Sequence, residues 1–182
     1  MQKEITLQNG TKIILRHPIL EDVDELTRYA NILSSENTYI TMSGEVFTRE
    51  EELGYINRWL EEMAKGDRIQ LFAFADNELV ANAEVRRVTK SRTRSLHIGE
   101  IAISIAKGWR GQGLGREILK ILIEEAKNTL KLRLVMLTVF ANNTRALNLY
   151  TSLGFIRAGE MPGAIWYKGE YIGQVYLYLP LT

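Results

Sequence analysis

Apolar residues recur along the chain with two spacings, one typical of helices and one typical of strands. Helical spacing occupies residues 21–33, 114–130 and 142–153, and a capping box of Thr48 and Glu51 opens a further amphipathic helix. Alternating or continuous apolar runs predict strands at residues 11–16, 69–75, 79–88, 96–105, 132–140, 155–158 and 171–179. The polar stretch over residues 31–47 predicts a loop region between the first two helices.

Local signals connect these elements into one layout. Asp76-Asn77 predicts a tight hairpin, and residues 90–94 read as a polar, basic connection between strands. The order β-α-α-β-β-β-α-β-α-β-β predicts a mixed α/β (α+β) fold with a parallel step around the helix over residues 114–130. Neither a repeat nor a linker interrupts the chain, so we expect one domain across residues 1–182.

Composition narrows the possible chemistry. The chain contains no cysteine and only two histidines, so we expect neither disulfides nor a metal site. A net charge of +1 argues against nucleic-acid binding, and the basic residues between 86 and 94 are expected to form a solvated hairpin tip. The sequence has no apolar run of the ~20 residues that a membrane helix needs and no signal-like start, which favours a cytoplasmic protein. Residues 1–66 carry a net charge of −5, which would suit a cationic substrate.

A glycine-rich turn, Arg110-Gly111-Gln112-Gly113-Leu114-Gly115, lies between a predicted strand and a predicted helix. Backbone N–H groups at such a helix N-terminus stabilise an anion, which points to phosphate. A dinucleotide fingerprint would need glycine at position 116, where the chain has Arg116. A P-loop would need Lys and Ser/Thr after its last glycine, where the chain has Arg116-Glu117.

Two motifs together resemble those of the GNAT superfamily of N-acetyltransferases. The turn matches that family's pyrophosphate loop, Q/R-x-x-G-x-G/A, and residues 143–155 match its later signature, N-x-x-A-x-x-L-Y-x-x-x-G-F. The resemblance implies a mixed, mostly antiparallel central sheet with a splayed parallel pair, flanked by helices. It also implies acetyl-CoA as co-substrate, an acetyl-CoA-binding core over residues 96–160 and acceptor-side elements over residues 1–66.

The same resemblance implies roles for individual residues. Backbone amides of the turn would cradle the pyrophosphate, the strand around residues 103–105 would pair with the pantetheine and stabilise the oxyanion, and an asparagine would bind near the sulfur. The residues so implied are Ile103, Ser104, Ile105, Arg110, Gly111, Gln112, Gly113, Leu114, Gly115, Arg116 and Asn143. Asn143 also suits the N-cap of the following helix.

Two catalytic candidates follow from the same comparison. Tyr150 would protonate the departing thiolate, and Glu100 would accept the proton of the amine through water. His97 is a further candidate base. A related subgroup carries a glutamate on the next strand, but this chain has Thr138 at about that position.

These residues leave the acceptor open. It could be a polyamine or other small amine, or the α-amino group or a lysine of a protein, attacked directly in a ternary complex. The alternative is a non-catalytic domain that senses acyl-CoA, although such a domain would not need Tyr150. A homodimer is possible by analogy with the family, and neither nucleic acid nor membrane is expected as a partner.

Overall fold

One mixed sheet organises the computed structural model, which describes residues 2–89 and 93–181. Within those residues the sheet has eight strands in the order β1-β2-β3-β4-β5-β6-β8-β7. All neighbours are antiparallel except β5 and β6, which are parallel and joined through a helix. The strands are β1 (Gln2–Thr6), β2 (Lys12–Arg16), β3 (Arg68–Ala75), β4 (Glu78–Arg87), β5 (Ile98–Ile105), β6 (Leu134–Phe140), β7 (Ile156–Tyr167) and β8 (Glu170–Pro180).

Two pairs of helices cover the sheet, one pair on each face. Helices α1 (Val23–Ser35) and α2 (Arg49–Ala64) pack on one face with the rings of Phe72 and Phe74. Helices α3 (Leu114–Asn128) and α4 (Thr144–Ser152) bury the larger core on the other face. Because side chains alternate along a strand, strands β2, β3 and β4 supply residues to both layers. The predicted mixed fold and its single parallel step are confirmed.

The strands at the two edges differ from the sequence-based prediction. Strand β1 is absent from that prediction because its residues are almost all exposed and show no apolar alternation. Strand β7 was expected to end at residue 158 but continues to Tyr167 as a long, exposed edge. Its pairing with β8 shifts register twice, which hides the period of two.

Local turn chemistry agrees with the prediction where the structure describes it. Thr48 and Glu51 form both hydrogen bonds of the capping box at the start of α2. Asp76 and Asn77 adopt φ of 46° and 67°, as a tight hairpin requires. Of the basic connection over residues 90–94, Lys90 and Arg92 lie outside the described residues.

The described residues contain no helix long and apolar enough to span a membrane. They also contain no group of three or more His, Asp or Glu side chains that could hold a metal ion.

A buried carboxyl on α2 makes stability depend on pH. The Glu52 residue is 4% exposed, and burial, with some repulsion from Glu51, raises its pKa from 4.5 to about 7. The folded chain therefore keeps this proton at pH values where the unfolded chain has released it. Its contribution favours folding at low pH and is lost as the pH rises from 4.5 to about 7.

Glu52→Gln should raise the free energy of unfolding by roughly 3 kcal/mol above pH 7 relative to its effect near pH 4. Urea denaturation at the two pH values measures this difference. The exposed Glu61 of the same helix supplies the control, since Glu61→Gln should show no such pH-dependent gain. An equal change for Glu52→Gln at both pH values would contradict the assignment.

Candidate active site

The parallel strands β5 and β6 separate after a short paired stretch. Their pairing covers residues 98–100 and 134–136 of the described chain, and beyond it β5 stays paired only with β4 and β6 only with β8. The facing edges of residues 101–105 and 137–140 bound a wedge-shaped gap, which we call the splay. Unpaired backbone groups on such edges can pair with an extended ligand.

The glycine loop, residues 110–115, follows the end of β5 that borders the splay. Gly111 and Gly113 have φ of 82° and 87°, a region that side chains disfavour, and Gly113 directly precedes α3. The backbone N–H groups of residues 111–115 donate to no acceptor in the described part of the chain. Unpaired donors at a helix N-terminus fit a pyrophosphate group.

The guanidinium of Arg110 donates hydrogen bonds to two protein groups. Its Nε donates to the Ile105 carbonyl at 2.7 Å, and another nitrogen donates to the Glu36 carboxylate. The side chain thereby holds the glycine loop to the end of β5. With this guanidinium engaged by protein groups, the unpaired donors of the loop itself are its backbone amides.

The other polar side chains of the loop also brace it. Gln112 donates to the Gly108 carbonyl at 2.6 Å and accepts from the Asn9 amide at 2.8 Å, which anchors the loop to the β1–β2 turn. Arg116 donates to the Ser152 hydroxyl at 2.7 Å and so ties α3 to α4. These contacts fix the direction in which the free backbone amides point.

Arg145 on α4 joins this loop, although neither sequence motif singled it out. A Cβ on Gly111 would lie 1.9 Å from an Arg145 guanidinium nitrogen, so the guanidinium rests directly on the loop. Arg145 is exposed and makes no ion pair with the described residues. It occupies a variable position of the signature over residues 143–155, where the motif gives no hint of its role.

Tyr150 lies on α4 with its ring in the core on the α3 side of the sheet. The residue is 8% exposed, and its ring packs edge to face on Phe155 at a centroid distance of 5.6 Å. Burial raises the pKa of Tyr150 to about 12, so the phenol stays protonated at neutral pH. Its hydroxyl has no hydrogen-bond partner among the described residues, which leaves it available to a ligand.

Asn143 caps the N-terminus of α4. Its side-chain oxygen accepts a hydrogen bond from the Ala146 backbone N–H at 3.1 Å. The capping expectation is confirmed, and the cap leaves the amide nitrogen of Asn143 as a donor for a ligand.

The three β5 residues expected to meet the cofactor direct their side chains elsewhere. Ile103 and Ile105 pack into the core on the α3 side, where a Cβ on Gly115 would lie 3.1 Å from the Ile105 methyl. Ser104 points to the other face, where its hydroxyl lies 2.9 Å from the hydroxyl of buried Tyr29. Their backbone groups are therefore what these residues can offer at the splay.

Glu100 also projects to the face that carries α1 and α2, opposite the Tyr150 side. It is the last residue of β5 paired with β6, at the base of the splay. One carboxylate oxygen accepts from Arg86 at 2.6 Å, and Arg86 also contacts Glu84 at 3.5 Å. The Glu100 side chain is 34% exposed, so solvent reaches the carboxylate despite the ion pair.

The other candidate bases do not join the site. His97 precedes β5 at the end far from the splay, and its carbonyl accepts from the backbone of Arg133 at 2.9 Å. Thr138 lies on β6 at the splay, but its hydroxyl accepts from the Gln174 amide at 3.1 Å and supplies no carboxylate.

An aromatic cluster of Tyr39, Phe140 and Tyr167 covers the end of β6. The sequence did not predict this cluster, because its members lie far apart in the chain. Tyr39, on the α1–α2 loop (residues 36–47), lies 5.8 Å from the Phe140 ring and 5.2 Å from the Tyr167 ring. Tyr167 also donates to the Asn37 carbonyl at 3.3 Å. The loop therefore reaches over β6 to the β7–β8 hairpin.

A shallow concavity has a volume of about 500 Å³, a size that suits a small ligand. It lies along β6, β7 and β8, and its side chains are mainly apolar and aromatic. They include Met136, Met161, Tyr176 and Tyr178. Met136 is paired with Glu100 across the two strands, so the concavity borders the candidate base.

Comparisons with known proteins agree with this geometry. The model of the Acetyltransferase (GNAT) family matches residues 29–155. The L-amino acid N-acetyltransferase AaaT of Escherichia coli (strain K12) is 28% identical over 120 residues, which cover 65% of this chain and 73% of that protein. The spermine/spermidine N(1)-acetyltransferase of Bacillus subtilis (strain 168) is 37% identical over 57 residues, which cover 31% of this chain and 38% of that protein.

A solved structure extends the similarity to nearly the whole chain. The acetyltransferase of the GNAT family from Streptococcus pneumoniae superposes with a TM-score of 0.83 at 26% sequence identity. The superposition covers 93% of this chain and 99% of the other. The overall fold is thus shared along nearly the whole of both chains.

Proposed function

Because this chain belongs to the Acetyltransferase (GNAT) family, we propose that it acetylates the primary amine of a small molecule by direct attack in a ternary complex. It is an acetyl-CoA-dependent N-acetyltransferase. The sequence relatives named above act on L-amino acids and on spermine or spermidine. Both classes present a small primary amine, which supports a small acceptor for this chain.

The observation that supports the proposal is that the two candidate groups lie on opposite faces of the sheet. Tyr150 offers a protonated, unpartnered hydroxyl from the α4 side, and Glu100 offers a carboxylate on the opposite face. The amine and the thiolate leaving group are separate substituents of the tetrahedral intermediate, so each can exchange its proton with a different group. The two groups therefore suit the two proton transfers of the reaction.

Binding of acetyl-CoA would use the features already described. The amides of residues 111–115 would hold the pyrophosphate, with Arg145 adding positive charge at Gly111. The free edge of residues 101–105 would pair with the pantetheine amides, and Asn143 would donate near the sulfur. The same edge contains the backbone N–H that stabilises the oxyanion.

These groups account for the bonds and the protons of the acetyl transfer. One proton of the incoming ammonium passes to Glu100 through water, and the neutral amine then attacks the thioester carbon to form the N–C bond of the tetrahedral intermediate. As the intermediate collapses, the C–S bond breaks, Tyr150 gives its proton to the departing sulfur, and the second proton of the nitrogen leaves to solvent water. Exchange with solvent then returns both side chains to their starting states.

The experiment that tests this proposal measures amine-dependent release of CoA with a panel of L-amino acids and polyamines. Peptides with free N-termini serve as larger acceptors. Acetylated product should form with at least one small amine and in equal amount to the CoA released. Turnover restricted to peptides would contradict the small-acceptor proposal.

Glu100→Gln should lower kcat/KM by about 100-fold at neutral pH and less as the pH approaches the pKa of the amine. At low pH the acceptor is an ammonium ion and needs a base, whereas at high pH it is already neutral. The profile of kcat/KM between pH 6 and 10 measures the effect. The exposed Glu124 gives the matched control, Glu124→Gln, and a pH-independent loss in Glu100→Gln would assign the carboxylate to structure alone.

A further inference from the structure

One ion pair joins the α1–α2 loop, on the proposed acceptor side, to the glycine loop, on the proposed cofactor side. Glu36 is the C-cap residue of α1, and its side chain is 11% exposed. One of its carboxylate oxygens accepts from the Arg110 guanidinium, and the other accepts from the Lys107 backbone N–H at 3.3 Å. The first residue of the α1–α2 loop is therefore fixed to the segment that leads into the glycine loop.

The pair extends from these loops to the reacting strand. The same Arg110 guanidinium donates to the Ile105 carbonyl at 2.7 Å, at the end of β5 that borders the splay. One side chain thus connects the α1–α2 loop, the end of β5 and the glycine loop. A lysine at this position suits the two contacts less well, because its single ammonium lacks the planar fork that reaches both acceptors.

A short path leads from Glu36 to the aromatic cluster. Asn37 follows it with φ of 44°, and its carbonyl accepts from the Tyr167 hydroxyl. Tyr39, two residues further, packs on Phe140 and Tyr167 over the end of β6. Glu36 is therefore connected through Asn37 and Tyr39 to the aromatic rings over the end of β6.

The remainder of the α1–α2 loop is held within its own side of the molecule. The Gly44 backbone N–H donates to both the carbonyl and the hydroxyl of Ser34 at 3.1 Å. The Glu45 carboxylate accepts from the Ser34 hydroxyl at 3.4 Å. Among the described residues of this loop, Glu36 thus provides the polar link to the glycine-loop segment.

We infer that Glu36 and Arg110 are positioning residues that couple the α1–α2 loop to the glycine loop, so that binding of acetyl-CoA orders the acceptor side of the site. This inference rests on the proposed function for the identity of the two ligands. A pyrophosphate on the amides of residues 111–115 fixes the glycine loop. The ion pair transmits that restraint to Asn37 and Tyr39, and the acceptor then meets a preorganised surface.

The first test is hydrogen exchange, which needs no turnover. Adding acetyl-CoA to the wild-type protein should slow amide exchange in residues 37–47 as well as in residues 110–115. In Glu36→Gln the protection of residues 110–115 should remain, and the protection of residues 37–47 should be lost. Wild-type protein that binds acetyl-CoA without protecting residues 37–47 would overturn the inference and leave the proposed function standing.

The second test separates the kinetic constants. Glu36→Gln should raise the acceptor KM by about 5- to 30-fold while changing the acetyl-CoA dissociation constant by less than about threefold. Arg110→Lys should raise the acceptor KM in the same direction, with some added loss of acetyl-CoA affinity because Arg110 also holds the glycine loop, and serves if Glu36→Gln does not fold. Exposed Glu21, which precedes α1, supplies the control variant Glu21→Gln.

A double-mutant cycle completes the design. If the two residues act through their pair, Glu36→Gln combined with Arg110→Lys should raise the acceptor KM little more than either single change. Additive effects of the two changes would overturn the coupling. Equal losses of acceptor and acetyl-CoA affinity in Glu36→Gln would also overturn it, since they would indicate a general structural role.

Discussion

Tyr150→Phe is expected to lower kcat by about 100- to 1,000-fold while the acetyl-CoA dissociation constant changes by less than about threefold. The change removes one hydroxyl and keeps the ring that packs on Phe155, so the core of α4 is preserved. Without that hydroxyl, the thiolate leaves with no proton donor beside it. Stopped-time assays of CoA release and calorimetric titration give the two constants.

The pH dependence of the wild-type enzyme adds a check on this role. Burial holds the pKa of Tyr150 at about 12, so the acid should remain protonated throughout the range from pH 6 to 10. The rate should therefore show no decline from loss of this proton within that range. Tyr55→Phe on the exposed side of α2 is the matched control, and an unchanged kcat in Tyr150→Phe would remove the acid role.

The second large effect is expected from Gly113→Val. Gly113 has φ of 87° at the start of α3, and a β-branched side chain strongly disfavours that conformation. Space beyond its missing Cβ is free of protein atoms, so the substitution acts through the backbone of the loop proposed to hold the phosphate and not through a clash with the protein. We expect the acetyl-CoA dissociation constant to rise at least 100-fold, measured by calorimetry.

A matched variant separates backbone strain from loss of the binding surface. Gly169 has φ of 86° with equally open space, but it lies in the β7–β8 turn. Gly169→Val should lower the melting temperature to a similar extent and leave acetyl-CoA affinity unchanged. Equal affinities for acetyl-CoA in wild type and Gly113→Val would show that the glycine loop does not hold the pyrophosphate.

The sequence allowed prediction of the elements that carry a strong local signal. The helix over residues 114–130 and the buried strand over 132–140 have clear apolar periods, and they became α3 and β6. The capping box at Thr48 and the Asp76-Asn77 turn depend only on neighbouring residues. The edge strands β1 and β7 could not be predicted in the same way, because their exposed residues need no apolar pattern.

The residues of the candidate site also fall into two groups, those with a local sequence signal and those brought together only by the fold. The glycine loop and Tyr150 belong to short motifs, so their residues are recognisable without a structure. Arg145 against Gly111 and the rings of Tyr39 and Tyr167 are brought together by the fold. Contacts between residues so distant in sequence leave no local pattern.

The placement of Arg110 shows a different limit of motif reading. The resemblance implied that Arg110 binds the cofactor, whereas its side chain spans the Ile105 carbonyl and Glu36. A sequence pattern records which residue type is required but not which atoms it contacts. Glu36 lies about seventy positions upstream, so no spacing rule could have paired it with Arg110.

The most direct measurement of the central claim is a calorimetric titration of acetyl-CoA into the wild-type protein, with Gly113→Val in parallel. The account predicts one acetyl-CoA bound per chain in the wild type and binding weakened at least 100-fold in the variant. Absence of binding by the wild-type protein at millimolar acetyl-CoA would contradict the account.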